Sequence, residues 1–156
     1  MRYAAFLFSL LLATAAVTSG CAHTGAAASP TGTSADSKAS LLVNVTHGKG
    51  DLHSASMGLG LAKAALEHGH PVVVFLNVEA AAFADRGLGA DVRFADFPSI
   101  ADLLRDIMAM GGKVYVCGHC AGVMKVSRDN LAPGIVMSEH GDIVEALRPG
   151  MVGVTY

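Results

Sequence analysis

The sequence predicts an α/β domain built on a five-stranded, mainly parallel sheet that lies between helical layers. Short runs rich in Val, Ile and Leu recur five times, and segments of helical spacing or turn composition separate them. One of these runs, Val72 to Leu76, is apolar throughout, which is typical of a strand buried on both faces. Because strands that alternate with helices are joined by right-handed crossovers, the predicted sheet is parallel.

The first 21 residues have the layout of an export signal. A basic start at Arg2 is followed by an apolar run from Tyr3 to Val17, which is shorter than the ~20 residues that a membrane-spanning helix needs. Small residues then lead into Cys21, as in the lipobox of bacterial lipoproteins. We therefore predict a periplasmic protein whose contact with the membrane is a lipid on Cys21. The alternative is cleavage near Ala22 and plain secretion.

The mature chain then divides into a tether and one domain. Residues 22–40 consist mostly of Ala, Gly, Ser and Thr, so they have little to bury and are predicted to form a flexible tether. Residues 41–156 carry all five strand-like runs and are enough for a single domain.

The first half of the domain begins with a predicted strand at Leu41 to Thr46. From Asp51 the apolar residues recur at steps of three and four, which predicts a helix with Asp51 as its cap that ends near His68. The second strand is Val72 to Leu76. Glu79 to Asp96 is predicted to be a helical turn plus a loop.

The second half repeats the alternation. Ser99 and Asp102 resemble a capping box at the start of a helix that Gly111 and Gly112 end. The remaining predicted elements are a strand at 113–117, a helix at 118–126, a turn at 127–133, strands at 135–138 and 151–155, and a helix at 142–147.

Charge and loop composition exclude two classes of function. The formal net charge is −2, which predicts no binding to nucleic acid or to an anionic membrane surface. The loop Gly48-Lys49-Gly50 matches neither of the common glycine-rich phosphate-binding patterns. Nucleotide binding is therefore not predicted.

The C-x-x-C sequence after the third strand is the predicted site of chemistry. Ligand sites in parallel sheets form at the carboxyl ends of strands, and Cys117 stands at such an end. The start of a helix favours the thiolate of Cys117, the predicted nucleophile, and His119 adds to its reactivity when protonated. Cys120 is placed to resolve an adduct on Cys117. The alternative is an inert disulfide or a pair of buried thiols.

These residues resemble a known family. The run Val114 to Cys120 after a Gly-Gly-Lys turn, the segment Leu131 to Val136, and the first-half segments Asn44 to Gly48 and Glu67 to Phe75 are similar in sequence and order to the DsrE/DsrF-like family. The resemblance covers roughly residues 41–156. It implies a three-layer α/β/α sandwich that assembles into oligomers, here most simply a homo-oligomer. It also implies a persulfide on Cys117 and partners that donate or accept sulfur.

Two other functions stay open. Cys-Gly-His-Cys is also the active-site sequence of protein disulfide isomerases, so a thiol–disulfide oxidoreductase that acts on a redox protein is an alternative. Placement after a third strand argues against the thioredoxin fold itself. The other alternative is a non-catalytic domain that binds a partner or a metal, since zinc or copper suits mixed nitrogen and sulfur ligands. The candidate ligands are His47, His53, His119, His140, Cys117 and Cys120.

Overall fold

The computed structural model describes residues 38–139 and 141–156. The predicted export signal, Cys21 and the tether up to residue 37 lie outside these residues, as does His140. In the part of the chain that the structure describes, no helix is long and apolar enough to cross a membrane.

Five strands form one sheet, and every neighbouring pair is parallel. Their order across the sheet is β4-β3-β2-β1-β5, so the chain steps outward three times, from β1 to β4, and then returns to the far side of β1. The five-stranded parallel sheet predicted from the sequence is confirmed. The strands are β1 (Leu41–Val45), β2 (Val72–Leu76), β3 (Lys113–Cys117), β4 (Ile135–Ser138) and β5 (Val152–Thr155).

The helices begin where the capping residues predict. The side chain of Asp51 accepts a hydrogen bond from the Ser54 N–H at 3.0 Å, and that of Ser99 accepts one from the Asp102 N–H at 3.1 Å. Each bond satisfies an N–H that the first turn of a helix leaves free. The described residues contain the helices α1 (Leu52–Glu67), α2 (Ile100–Ala109), α3 (Gly118–Val123) and α4 (Asp142–Ala146), and a 3-10 segment spans Val78–Ala84.

The helix after the cysteines is shorter than predicted. It was expected over 118–126, but α3 ends at Val123 because the chain turns back on itself. Lys125 adopts a left-handed conformation with φ of 61°, and the Val126 N–H donates to the Ala121 carbonyl at 2.8 Å. This closing bond is the usual way to end a helix, although glycine normally occupies the left-handed position. Val126 is buried by the turn.

One face of the sheet carries the hydrophobic core. Val43, Val74 and Val114 lie side by side in register across β1, β2 and β3, and none is more than 1% exposed. The amphipathic helices α1 and α2 pack against each other and against the sheet. The same cluster takes in buried side chains of the 3-10 segment and of α3, namely Ala80, Ala81, Phe83, Ala84 and Ala121.

The opposite face of the sheet has a much thinner cover. Among the described helices, α4 lies over this face, where Asp142 and Glu145 share a cleft with Tyr115, but α4 buries none of its own residues. Phe75 and Tyr115 are half-buried there, and Val136 is 50% exposed. The second helical layer of the predicted sandwich is therefore a single five-residue helix in the described chain, and it leaves open clefts against the sheet.

Replacing Leu59 with alanine should destabilise the protein strongly, because this α1 side chain is fully buried in the core. We expect a loss of about 2–5 kcal/mol in the free energy of unfolding, measured by urea denaturation. Leu61 lies two residues further on the same helix and is 38% exposed. Leu61→Ala is the matched control and should change stability little. Equal losses in the two variants would contradict the burial of Leu59 in the core.

Candidate functional site

A cleft of about 490 Å³ lies at the carboxyl end of β3. It lies on the thinly covered side of the sheet, since Phe75 of β2 forms part of its wall and Ile143 of α4 lies across from it. The polar and reactive residues in its wall are Cys117, His119, Arg128, Ser138 and Glu139.

Cys117 is held at the cleft by the sheet and by the first turn of α3. It is the last residue of β3 and pairs in register with Ser138 of β4. Its sulfur accepts the Cys120 N–H at a donor–acceptor distance of 3.5 Å, so the thiol caps α3. Cys117 is half-buried, and neither it nor Cys120 forms a disulfide in the structure. A thiol that lines an open cleft and receives an N–H is well placed to react with a ligand in that cleft.

Cys120 occupies a different environment. It packs against the hydrophobic core and does not line the cleft. Burial raises the pKa of the Cys120 thiol, and the hydrogen bond and charge of Cys117 raise that pKa further. Hydrogen bonding from the backbone of Val78 and of Cys120 itself lowers the pKa of the thiol, but by less than these effects raise it. At neutral pH the Cys120 thiol is therefore held protonated, which lowers its reactivity.

The loop that carries Val78 is strained. Val78 has a φ of 51°, which a β-branched residue adopts at a cost of about 1–3 kcal/mol. The surrounding loop holds this conformation, since the Ala80 N–H lies 3.0 Å from the Asn77 carbonyl and 3.3 Å from that of Thr46. Backbone strain of this kind concentrates at functional sites.

Arg128 and Glu139 form an ion pair at the wall of the cleft. Their side chains are 61% and 71% exposed, so water screens the pair and it contributes little to stability. His119 is also exposed and lines the same cleft. The cleft therefore combines a thiol, an imidazole, and a cation that a weakly bound carboxylate holds in place.

A row of polar side chains links the neighbouring strand ends. Asn77 donates from Nδ2 to the Asn44 Oδ1 at 2.6 Å, and Asn44 donates from Nδ2 to the Thr155 Oγ1 at 3.3 Å. These bonds join the loop after β2 to β1 and β5. The segment Asn77 to Glu79 follows the carboxyl end of β2, where ligand sites of parallel sheets form. Its hydrogen bonds hold the edge of the sheet together and position Val78. It does not line the cleft.

The structure brings some of the candidate residues together and separates others. Cys117 and His119 share the cleft, with Cys120 behind them. His47 lies after β1 with its Nδ1 3.4 Å from the Thr46 Oγ1, and His53 stacks on Phe94 at a centroid distance of 4.4 Å. Within residues 38–139 and 141–156, no three His, Cys, Asp or Glu side chains are placed to hold one metal ion.

Sequence reasoning missed Arg128 and Phe75 as residues of the site. Arg128 lies in the connection between β3 and β4 and not directly after a strand, so the rule that ligand sites form at the carboxyl ends of strands does not select it. Phe75 is part of an apolar run that is typical of core residues. One signal was present in the sequence. Two cations, Lys125 and Arg128, follow the cysteines within eight residues of Cys120.

Fold and site together define a parallel α/β domain with a dithiol at a strand end. The family model described as DsrE/DsrF-like family matches residues 39–153, so the chain belongs to this family, in which sulfur relay is the general function. An uncharacterized protein of Methanocaldococcus jannaschii, MJ0760, is 32% identical over 93 residues, which is 60% of this chain. The match covers 34% of that relative, so this chain spans about a third of its length.

A solved structure supports the fold. The crystal structure of the YchN protein from E. coli matches with a TM-score of 0.65 and 18% sequence identity. The match covers 76% of this chain and 100% of that one. At this level of identity the likeness concerns the fold alone, and it agrees with the five-stranded parallel sheet.

Alanine substitutions at two glycines of α3 test whether the contact between α3 and β4 positions Cys117. A Cβ at Gly118 would lie 3.0 Å from the carbonyl oxygen of Ser138, a backbone atom of β4 that has little room to move. A Cβ at Gly122 would meet nothing within 4 Å. We expect Gly118→Ala to lower the melting temperature and to change the rate at which iodoacetamide alkylates Cys117.

Gly122→Ala is the control, and it should be neutral or stabilising by up to about 1 kcal/mol, because alanine favours helix. Thermal unfolding together with mass spectrometry of the alkylated peptide measures both effects. If Gly118→Ala behaved like Gly122→Ala, the close contact between α3 and β4 would not position the cysteine.

Proposed function

We propose that the protein carries sulfane sulfur as a persulfide on Cys117. The observation that supports this most is the asymmetry of the pair, since Cys117 lines the open cleft and Cys120 packs against the core. A carrier needs one accessible sulfur that exchanges with donors and acceptors, and it needs a neighbouring thiol that does not react with the persulfide. Membership of the DsrE/DsrF-like family adds support from relatives in sulfur relay.

The loading and unloading steps are thiol exchanges. The Cys117 thiolate attacks the outer sulfur of a donor persulfide, the donor's sulfur–sulfur bond breaks, and the donor leaves as a thiolate while Cys117 becomes a persulfide. An acceptor thiolate then attacks the outer sulfur of the Cys117 persulfide and takes it, and Cys117 leaves as a thiolate. Neither step changes the number of electrons that the pair holds, so no external oxidant or reductant is required.

Cys120 provides a slower alternative outcome. Its thiolate can attack the inner sulfur of the Cys117 persulfide, which forms the Cys117–Cys120 disulfide and expels hydrosulfide. This reaction destroys the cargo and oxidises the pair. Because its raised pKa keeps the Cys120 thiol protonated at neutral pH, the reaction is suppressed there and the persulfide survives.

Loading with inorganic polysulfide tests the carrier function. We expect wild-type protein and Cys120→Ser to gain the mass of sulfur on Cys117, and Cys117→Ser to gain none at Cys120 under the same conditions. Intact-mass spectrometry followed by peptide mapping locates the added sulfur. Both variants keep a side chain of similar size and form no disulfide, so they are matched controls for each other.

Two results would overturn the carrier proposal. One is a wild-type protein that takes up no sulfur on Cys117. The other is a protein that reduces insulin disulfides efficiently and equilibrates with glutathione while its persulfide decays at once, which would favour the thiol–disulfide oxidoreductase predicted as the alternative.

The release of sulfide from loaded protein should depend on pH. Attack requires the Cys120 thiolate, and the pKa of this thiol is raised, so release should be slow near neutral pH. As the pH rises toward that pKa, the rate of release should increase by about tenfold for each pH unit. A sulfide electrode can follow this between about pH 6 and pH 9. Cys120→Ser should lack the rising phase. Release that ignores pH, or that persists unchanged in Cys120→Ser, would contradict the assigned role of Cys120.

We also propose the setting in which the carrier works. The signal-like start and the small residues before Cys21 support export and lipid attachment. The thinly covered sheet face supports assembly with further copies, since such faces are usually buried. Sulfur donors and acceptors, or a redox protein, are then the partners to be sought outside the cytoplasm.

A further inference from the structure

We propose that Arg128 recognises the carboxylate of the sulfur donor, so that the protein is loaded by small organic persulfides that bear a carboxylate group. This inference rests on the proposed function of Cys117 and names the class of its substrate. It comes from the juxtaposition of Arg128, Glu139 and Cys117 around one cleft.

The size and the walls of the cleft fit an organic molecule. Its volume of about 490 Å³ lies within the usual range of small-molecule sites, which is about 300–1,000 Å³. Part of the wall is apolar, formed by Phe75, Met137 and Ile143, and part is polar. A bare inorganic anion would leave this apolar surface without contacts, whereas the carbon skeleton of an organic persulfide covers it.

The charge of the wall fits a carboxylate. Arg128 presents a planar guanidinium that can donate two parallel hydrogen bonds to a carboxylate, a geometry that no other side chain offers. In the structure the Arg128 side chain already bonds a carboxylate, that of Glu139. Glu139 therefore shows the kind of group that the cleft accepts at this position.

Glu139 is also easy to replace. Both members of the pair are well exposed, so breaking their contact costs little. When a donor carboxylate takes the place of Glu139, Arg128 keeps a partner and Glu139 returns to water. The backbone N–H of Glu139 donates to the Asp142 carboxylate at 2.8 Å, which fixes the main chain while the side chain is free to move.

The chain offers a matched control cation. Lys125 lies three residues before Arg128 in the same connection and is exposed, but it does not line the cleft. General attraction of an anionic donor by positive charge would be reduced by Lys125→Ala and Arg128→Ala alike. Recognition inside the cleft would be reduced by Arg128→Ala alone.

The experiment compares a negatively charged donor with an uncharged one of similar size, the persulfide of 3-mercaptopropionate and the persulfide of its methyl ester. The rate of persulfide formation on Cys117 is measured by quenched-flow mass spectrometry for wild type, Arg128→Ala, Arg128→Lys, Glu139→Gln and Lys125→Ala. Dividing the acid rate by the ester rate for each protein, and then comparing proteins, cancels the intrinsic reactivity of each donor.

We expect Arg128→Ala to lower this ratio by about tenfold, because the acid rate falls more than the ester rate. Arg128→Lys should give a ratio between those of the wild type and Arg128→Ala, because lysine keeps the charge and loses the paired hydrogen bonds. Glu139→Gln should raise the ratio, since it removes the competing carboxylate. Lys125→Ala should match the wild type.

Failure of this inference is distinguishable from failure of the proposed function. If the wild type loads sulfur on Cys117 but the ratio is the same in Arg128→Ala, then carboxylate recognition by Arg128 is wrong and the carrier function stands. A fall in the ratio of equal size in Lys125→Ala would also overturn it. If neither donor loads Cys117 while inorganic polysulfide does, this inference alone fails. If polysulfide does not load Cys117 either, the proposed function fails and this inference fails with it.

Discussion

Burial of one face of the parallel sheet is the constraint on which the rest of the structure depends. Side chains alternate between faces with a period of two, so a slip of one residue in β3 would exchange the buried Val114 and Val116 for Tyr115 and Cys117. The core tolerates no such exchange. The packing of α1 and α2 therefore sets the register of β3, and that register delivers Cys117 to the carboxyl edge of the sheet, facing away from the core.

The difference between the two thiols follows from this geometry. Spacing alone makes Cys117 and Cys120 equivalent members of a C-x-x-C pair. The strand places one sulfur at the cleft, and the short helix turns the other toward the core, where burial and the neighbouring sulfur raise its pKa. Position in the fold, more than the motif, therefore distinguishes the two thiols.

Much of the fold could be predicted because its signals are local. Apolar runs predicted all five strands to within a residue or two, and the Asp51 and Ser99 caps predicted the starts of α1 and α2. The end of α3 could not be predicted, since it depends on a left-handed Lys125 where glycine is the usual signal. Arg128 was missed for a related reason. Its place in the cleft comes from the tertiary path of a turn, and no sequence period encodes that path.

The way the chain joins the sheet also gives the domain a direction. Ser40 and Leu41 are fixed at the amino-terminal edge, where the Leu41 N–H donates to the Pro71 carbonyl and the Ser40 carbonyl accepts from the Val152 N–H. Cys117 stands at the other edge, one strand length or about 15 Å away. The segment that enters the domain at Ser40 and the thiol of Cys117 therefore lie at opposite edges of the sheet, so the thiol edge is left free of the incoming chain.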